Sequence, residues 1–263
     1  VAGASGQNLL LTPNRLASTP GTATGNVNFT AQVNGDLITQ SLPVSFNLDN
    51  HRLIASEIGV PLVDLPGTAW DRLTKTVSIV ENFGFATPWT AASDQAWLQV
   101  TPSGTGSGAL VLTANTAGLT TDQYYEAAVT VTSSDNTITN NEQIRVGLWV
   151  GSSVPSAGMT IGNLSGGPLA VVGDPIRPLF YVLEWFSSQV RVINPYTAQE
   201  LSPISGLPAM SGILSSFATQ NGDTLFAWNQ VPGAGYHYVP VNLRTRTVGS
   251  PIASNKFGTG RVD

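Results

Sequence analysis

Two internal periods constrain what this chain can fold into. Leu11-Thr12-Pro13 returns as Val100-Thr101-Pro102, 89 residues later, and the run Val27–Ala31 returns as Leu110–Ala114 at an offset of 83. Leu42–Leu48 likewise parallels Ile144–Val150. A period near 90 is the length of one β-sandwich domain. Residues 1–50 match only the second half of that domain, so the first copy is expected to lack its opening strands. The second period is shorter. Ser202-Pro203-Ile204 returns as Ser250-Pro251-Ile252 and Asn194 as Asn242, both at 48; Leu179-Phe180 maps to Leu225-Phe226 at 46, and Gly173-Asp174 roughly to Gly222-Asp223. Such a period falls among the blade lengths of β-propellers. Two units fit after the Gly/Ser/Pro-rich stretch Gly151–Gly158, fewer than any closed ring needs.

The local pattern agrees with an all-β chain. Helical periodicity is nearly absent, whereas Lys75–Val80, Ala109–Ala114, Ala127–Thr132 and Gln143–Val150 are alternating, β-branched runs. In the last run Ile144, Val146, Leu148 and Val150 share one face, and Arg145, Gly147 and Trp149 share the other. Charged residues make up 10% of the chain, against roughly 25% in ordinary soluble domains. The surface must therefore be built from Ser, Thr, Asn and Gln. The net charge is −5 and the 11 basic residues form no cluster, which argues against nucleic acid as a partner. Without cysteine, disulfides, thiolate catalysis and Cys-ligated metals are excluded. No apolar run is long enough for a membrane span. A start at Val1 reads as a mature form or an excised segment.

Residues 53–151 resemble the BACON domain, a bacterial immunoglobulin-like module. The strand Thr74–Val80, the run Trp89–Asp94, then Trp97-Leu98-Gln99-Val100-Thr101-Pro102-Ser103-Gly104 and Leu110–Asn115 leading to Tyr124–Thr132 carry the resemblance. Residues 1–52 look like part of another copy. Beyond a hinge at 152–169, residues 170–263 resemble about two blades of a bacterial surface propeller with Tyr-Val repeats. Phe180-Tyr181-Val182 and Val190–Asn194 carry that likeness, with Asn194 where the family has Asp. The resemblance implies immunoglobulin-like β-sandwiches followed by β-propeller-like antiparallel blades. The BACON name also implies glycans as ligands.

Trp89 and Trp97 are expected in the sandwich core, Trp97 near its centre beside Leu98. Trp149 has two readings, as a sugar platform or as a surface packed on the next domain; the hinge two residues later favours packing. Of Tyr124 and Tyr125, one ring should face in and one out, making Tyr125 a candidate contact. His237 alternates with Tyr236 and Tyr238 on a blade strand, where it faces a channel or solvent. His51 reads as a solvated turn. A Ser-His-Asp site would have to use one of these two histidines, and no Gly-x-Ser-x-Gly elbow surrounds a serine.

The sequence thus points to a non-catalytic, secreted or cell-surface bacterial protein without metal or cofactor, acting in adhesion, matrix or assembly. Its expected partners are other protein subunits, reached through the incomplete ends. The alternatives are a carbohydrate-binding module or a fragment of a propeller enzyme.

Overall fold

The computed structural model describes residues 10–12, 20–69, 71–153, 168–208, 216–231 and 235–253. Every regular element among them is a β-strand. The chain divides into two compact units, residues 1–52 with 136–139, and residues 53–135 with 140–263.

In the first unit β1 (Gly21–Val33) and β2 (Asp36–Leu48) form a long antiparallel hairpin. Asn34 and Gly35 turn the chain with φ of 54° and 93°. Two successive positive values define the tight turn whose twist matches paired strands, and Asn-Gly adopts it at little cost. The pairing puts Val27 opposite Leu42 and Ala31 opposite Ile38. One face therefore carries Val27, Phe29, Ile38, Leu42 and Phe46, while Thr22, Asn26, Thr30, Thr39 and Ser45 occupy the other. His51 closes the unit with an isolated bridge to Ile138. The direct pairing corrects the sequence parallel drawn above. The segments to which β1 and β2 were matched, 110–114 and 144–150, lie in different sheets of the second unit.

The second unit begins with two sheets. β3 (Leu53–Ala55), β5 (Thr74–Glu81), β9 (Gly108–Ala114) and β7 (Leu98–Val100) form one, in the order β3-β5-β9-β7. β4 (Gly59–Asp64), β11 (Glu142–Val150), β10 (Gln123–Thr132), β6 (Pro88–Ser93) and β8 (Ser103–Thr105) form the other, in the order β4-β11-β10-β6-β8. The chain changes sheets between β3 and β4, and β4 then runs parallel to β11. Alternate residues of both sheets point inward: Val77, Ile79, Leu110, Leu112, Val129, Val131, Ile144 and Val146 are fully buried. Trp89, 1% exposed, fills the centre. A Cβ at Gly104 or Gly108 would lie 2.2 or 2.8 Å from its ring, so these glycines make room for the indole. Trp97 is half-buried instead of central. It precedes β7, and Leu98 takes the inward position.

Two further sheets follow. β12 (Pro168–Gly173), β13 (Phe180–Glu184), β14 (Gln189–Asn194) and β15 (Gln199–Ser205) form a meander. β16 (Ser216–Ala218), β17 (Thr224–Val231), β18 (Gly235–Asn242), β19 (Thr247–Val248) and β20 (Ile252–Ala253) form the second, β19 and β20 both pairing with β18. The pairing is the same in both. Gln189↔Ser205, Val190↔Ile204 and Asn194↔Gln199 return 48 residues later as His237↔Ala253, Tyr238↔Ile252 and Asn242↔Thr247. Asn194 and Asn242 each accept two backbone amides in the following turn, and Ala198 and Arg246 supply its positive φ.

On the earlier strands the structural offset is 45, since Val172↔Tyr181↔Val192 corresponds to Phe217↔Phe226↔Pro240. The offset of 46 read from the sequence is one residue out, and a one-residue slip exchanges the faces of a strand. Tyr181, not Phe180, is the counterpart of Phe226.

The two sheets share one apolar core. Tyr181, Leu183, Val190 and Val192 of the first pack against Leu225, Ala227, Val239 and Val241 of the second. By the register above, the front of the first sheet meets the back of the second.

Candidate functional site

The most elaborate chemistry of the second unit lies where these sheets meet the sandwich. On the outer face of β11, Arg145, Gly147 and Trp149 alternate with the core residues. The connection from β12 to β13 runs over that face. A Cβ at Gly147 would lie 1.9 Å from the Ile176 carbonyl oxygen. One strand away, a Cβ at Gly59 would lie 1.7 Å from the Gln220 carbonyl oxygen, and the Ile58 amide donates to Gln220 Oε1 at 3.3 Å. Backbone is thus laid directly on backbone at two places.

Arg177 is the hub. Its Nη1 donates to Asp174 Oδ2 at 3.1 Å and to the Gly222 carbonyl oxygen at 2.6 Å. Its Nη2 reaches Glu126 Oε2, on β10 of the sandwich, at 3.5 Å. Glu126 is also paired with Arg145. Asp174 has a fully buried side chain. It accepts the amides of Ile176 and Arg177 at 2.9 and 2.8 Å and the Tyr181 hydroxyl at 2.6 Å. One side chain of the first repeat sheet therefore ties the sandwich to both sheets. Burial by itself would lower the Arg177 pKa, but the charges of Asp174 and Tyr124 hold it above its ordinary value. Burial, then the charge of Glu126, pushes the Tyr124 phenol well up; burial, then Asp174, does the same to Tyr181.

Trp149 is 4% exposed, and its ring lies 5.4 Å from that of Tyr196, in the turn after β14. The indole packs against the repeat module. Tyr125 is half-buried; its hydroxyl accepts the Thr120 amide at 2.8 Å and donates to the Thr120 carbonyl at 3.2 Å, which fixes its own loop. His237 is half-buried on β18, paired with Asn229 and Ala253, on the face shared by Ala227 and Val239. The three candidates do not come together at one place.

Sequence reasoning missed Arg177, Glu126 and Arg145, whose partners lie far apart in the chain, and Asp174, whose partners are local. It also missed Trp185 and Phe186, 40% and 76% exposed, whose rings stand 6.0 Å apart after β13. Beside the docking interface, a recess of about 250 Å³ is lined by Asp94, Glu126, Ala127, Ala128, Arg145 and Arg244. Among the described residues no three His, Asp or Glu side chains gather as metal ligands, and no helix is long and apolar enough to cross a membrane.

No protein-family model and no curated protein matches the chain. Among solved structures, the YadV chaperone is similar over 72% of this chain and 93% of its own, at 12% identity and a TM-score of 0.30. The E. coli chaperone DraB covers 78% of this chain and 98% of its own, at 8% identity and a TM-score of 0.32. The CsuC–CsuE chaperone–tip adhesion subunit pre-assembly complex from the archaic chaperone-usher Csu pili of Acinetobacter baumannii covers 72% of this chain and 97% of its own, at 8% and 0.31.

Proposed function

We propose that this chain is a non-catalytic, exported bacterial protein whose sandwich holds a stack of propeller-type sheets in fixed orientation, as an interaction scaffold for other protein subunits. The observation that carries the reading is the docking interface. Arg177, Asp174 and Glu126 are all consumed in holding three sheets together, with close backbone contact at Gly59 and Gly147. A connection built this way fixes an angle. Arg177, Asp174 and Glu126 are spent on this structural role.

The strand order supports an immunoglobulin-like sandwich. One sheet takes the first, second, fifth and fourth strands of that fold, and the other sheet contains the third, sixth and seventh. A tyrosine near the start of the sixth strand, bonded to backbone a few residues upstream, is a hallmark of such sandwiches, and Tyr125 with Thr120 supplies it. Identical register and front-to-back stacking support the blade reading of the two repeat sheets. Membrane-impermeant biotinylation of intact producing cells tests the location. The chain should be labelled before lysis; labelling only after lysis contradicts the proposal.

Glycan binding is a second reading, favoured by the exposed Trp185–Phe186 pair, since aromatic faces stack on sugar rings. A glycan array should then show binding that Trp185→Ala removes and Trp149→Ala spares.

A further inference from the structure

The turns that follow Asn194 and Asn242 are equivalent in pairing, and both reach the sandwich. In the first repeat sheet this turn carries Tyr196, whose ring packs on Trp149. The same position in the second sheet is Arg244, and there the turn leaves a gap. Arg244 lines the recess of about 250 Å³ together with Asp94, which follows β6, and with Glu126, Ala127, Ala128 and Arg145 of β10 and β11.

The charges around this recess are of two kinds. Glu126 and Arg145 are paired with each other, and Glu126 also with Arg177. Asp94 and Arg244 are not committed in this way. Asp94 Oδ1 accepts the Ala128 amide at 2.8 Å, which fixes the carboxylate and leaves Oδ2 without a partner among the described residues. Arg244 is exposed, and its guanidinium makes no hydrogen bond or ion pair with a described residue. One free carboxylate on the sandwich and one free guanidinium on the repeat module therefore border the same space.

A small anion would be drawn to Arg244 and repelled by Asp94, and a small cation the reverse. A molecule carrying both charges is attracted at each end. The volume lies just below the usual range of ligand pockets, so the molecule is small. Ala128 makes the room. It stands on the outer face of β10, directly opposite Arg145, where a longer side chain would project into the recess.

We propose that this recess binds a small zwitterion, a free α-amino acid, with its carboxylate on Arg244 and its ammonium group on Asp94. Because the two charges belong to different modules, the bound molecule bridges them and stabilises their docked arrangement by mass action.

Glycine is the probe, in thermal unfolding of the full chain. The midpoint should rise with glycine concentration, by roughly 5–10 °C at a hundred times Kd. Acetate and methylammonium, which each supply one of the two charges, and glucose, which supplies neither, should leave it unchanged. Arg244→Gln should abolish the rise by removing a charge, and Ala128→Leu by filling the space. Arg244 is exposed, so Arg244→Gln should fold as the parent does and decides the matter if Ala128→Leu disturbs the docking. No rise with glycine overturns the proposal. An equal rise with acetate, methylammonium or glucose overturns it too, because the recess is then an ion or polyol site. So does a rise that survives Arg244→Gln, which would be a general effect of glycine on the solvent.

Discussion

The carbonyl oxygen of Ile176 stands where residue 147 would carry a side chain, 1.9 Å from the place of its Cβ. Gly147 lies in a strand whose neighbours Val146 and Leu148 are wholly buried, so the strand cannot retreat. Gly147→Ala should push the connection away and cost on the order of 1–3 kcal/mol, as overpacking does. Thermal unfolding checks it, with loss of the Trp149–Tyr196 contact expected in parallel. An unchanged midpoint would mean that the connection does not press on β11.

Removing the hub should cost more than removing a surface charge. Arg177→Met leaves the buried Asp174 carboxylate without its guanidinium and frees Glu126 from the repeat module. Breaking one partner of a buried pair typically costs about 3–5 kcal/mol. Arg177→Lys keeps the charge but loses the fork that reaches Asp174 and Glu126 from separate nitrogens, and should fall between the two. Urea denaturation of the three proteins measures the order.

Buried phenols make stability sensitive to alkali, Tyr124 and Tyr181 most of all and Tyr196 through burial alone. Tyr124 and Tyr181 are raised in the folded protein by burial and by the neighbouring carboxylates. The unfolded chain releases these protons near the ordinary phenol value of about 10 while the folded chain still holds them. The stabilisation is therefore complete below that pH and declines as pH rises above it. Denaturation midpoints between pH 8 and 11, flat and then falling, are expected, with Tyr124→Phe reducing the slope. A flat profile would place both hydroxyls in contact with solvent.

The sandwich core offers a comparison free of charge effects. Trp89→Ala should cost on the order of 3–5 kcal/mol, the usual range for truncating a buried aromatic. Trp97→Ala should cost distinctly less, because Trp97 is half-buried at a strand entrance. Equal losses would contradict the positions described for the two indoles.

What the sequence made legible was set by distance along the chain. The alternation over Ile144–Val150 placed Trp149 opposite the core residues, and the structure finds it there, against Tyr196. Asn34-Gly35 carried a hairpin signal as strong as any short sequence gives, but a repeat reading of the flanking strands obscured it. The 48-residue period survives in the pairing of β14, β15, β18 and β20. Tyr181 and Val192 are 11 residues apart while their counterparts Phe226 and Pro240 are 14 apart; this longer hairpin displaced the match on the preceding strands, and period 2 turned that small error into an exchange of faces. The hub was beyond reach. Glu126 and Arg177 are 51 residues apart and Arg177 and Gly222 are 45 apart; nothing local marks a pair formed by docking. The trace left in the sequence is Gly147 itself, a residue without a side chain in the middle of a strand of large ones.

The claim that sandwich and repeat sheets form one fixed scaffold is tested most directly by native-state hydrogen exchange on the full chain. Amides of β10 in the sandwich and of β17 in the repeat module should open with the same free energy, and Arg177→Met should lower both together. Exchange of β17 through a cheaper opening, unmoved by Arg177→Met while β10 keeps its protection, would show that the sheets hang from the sandwich independently and would contradict the account.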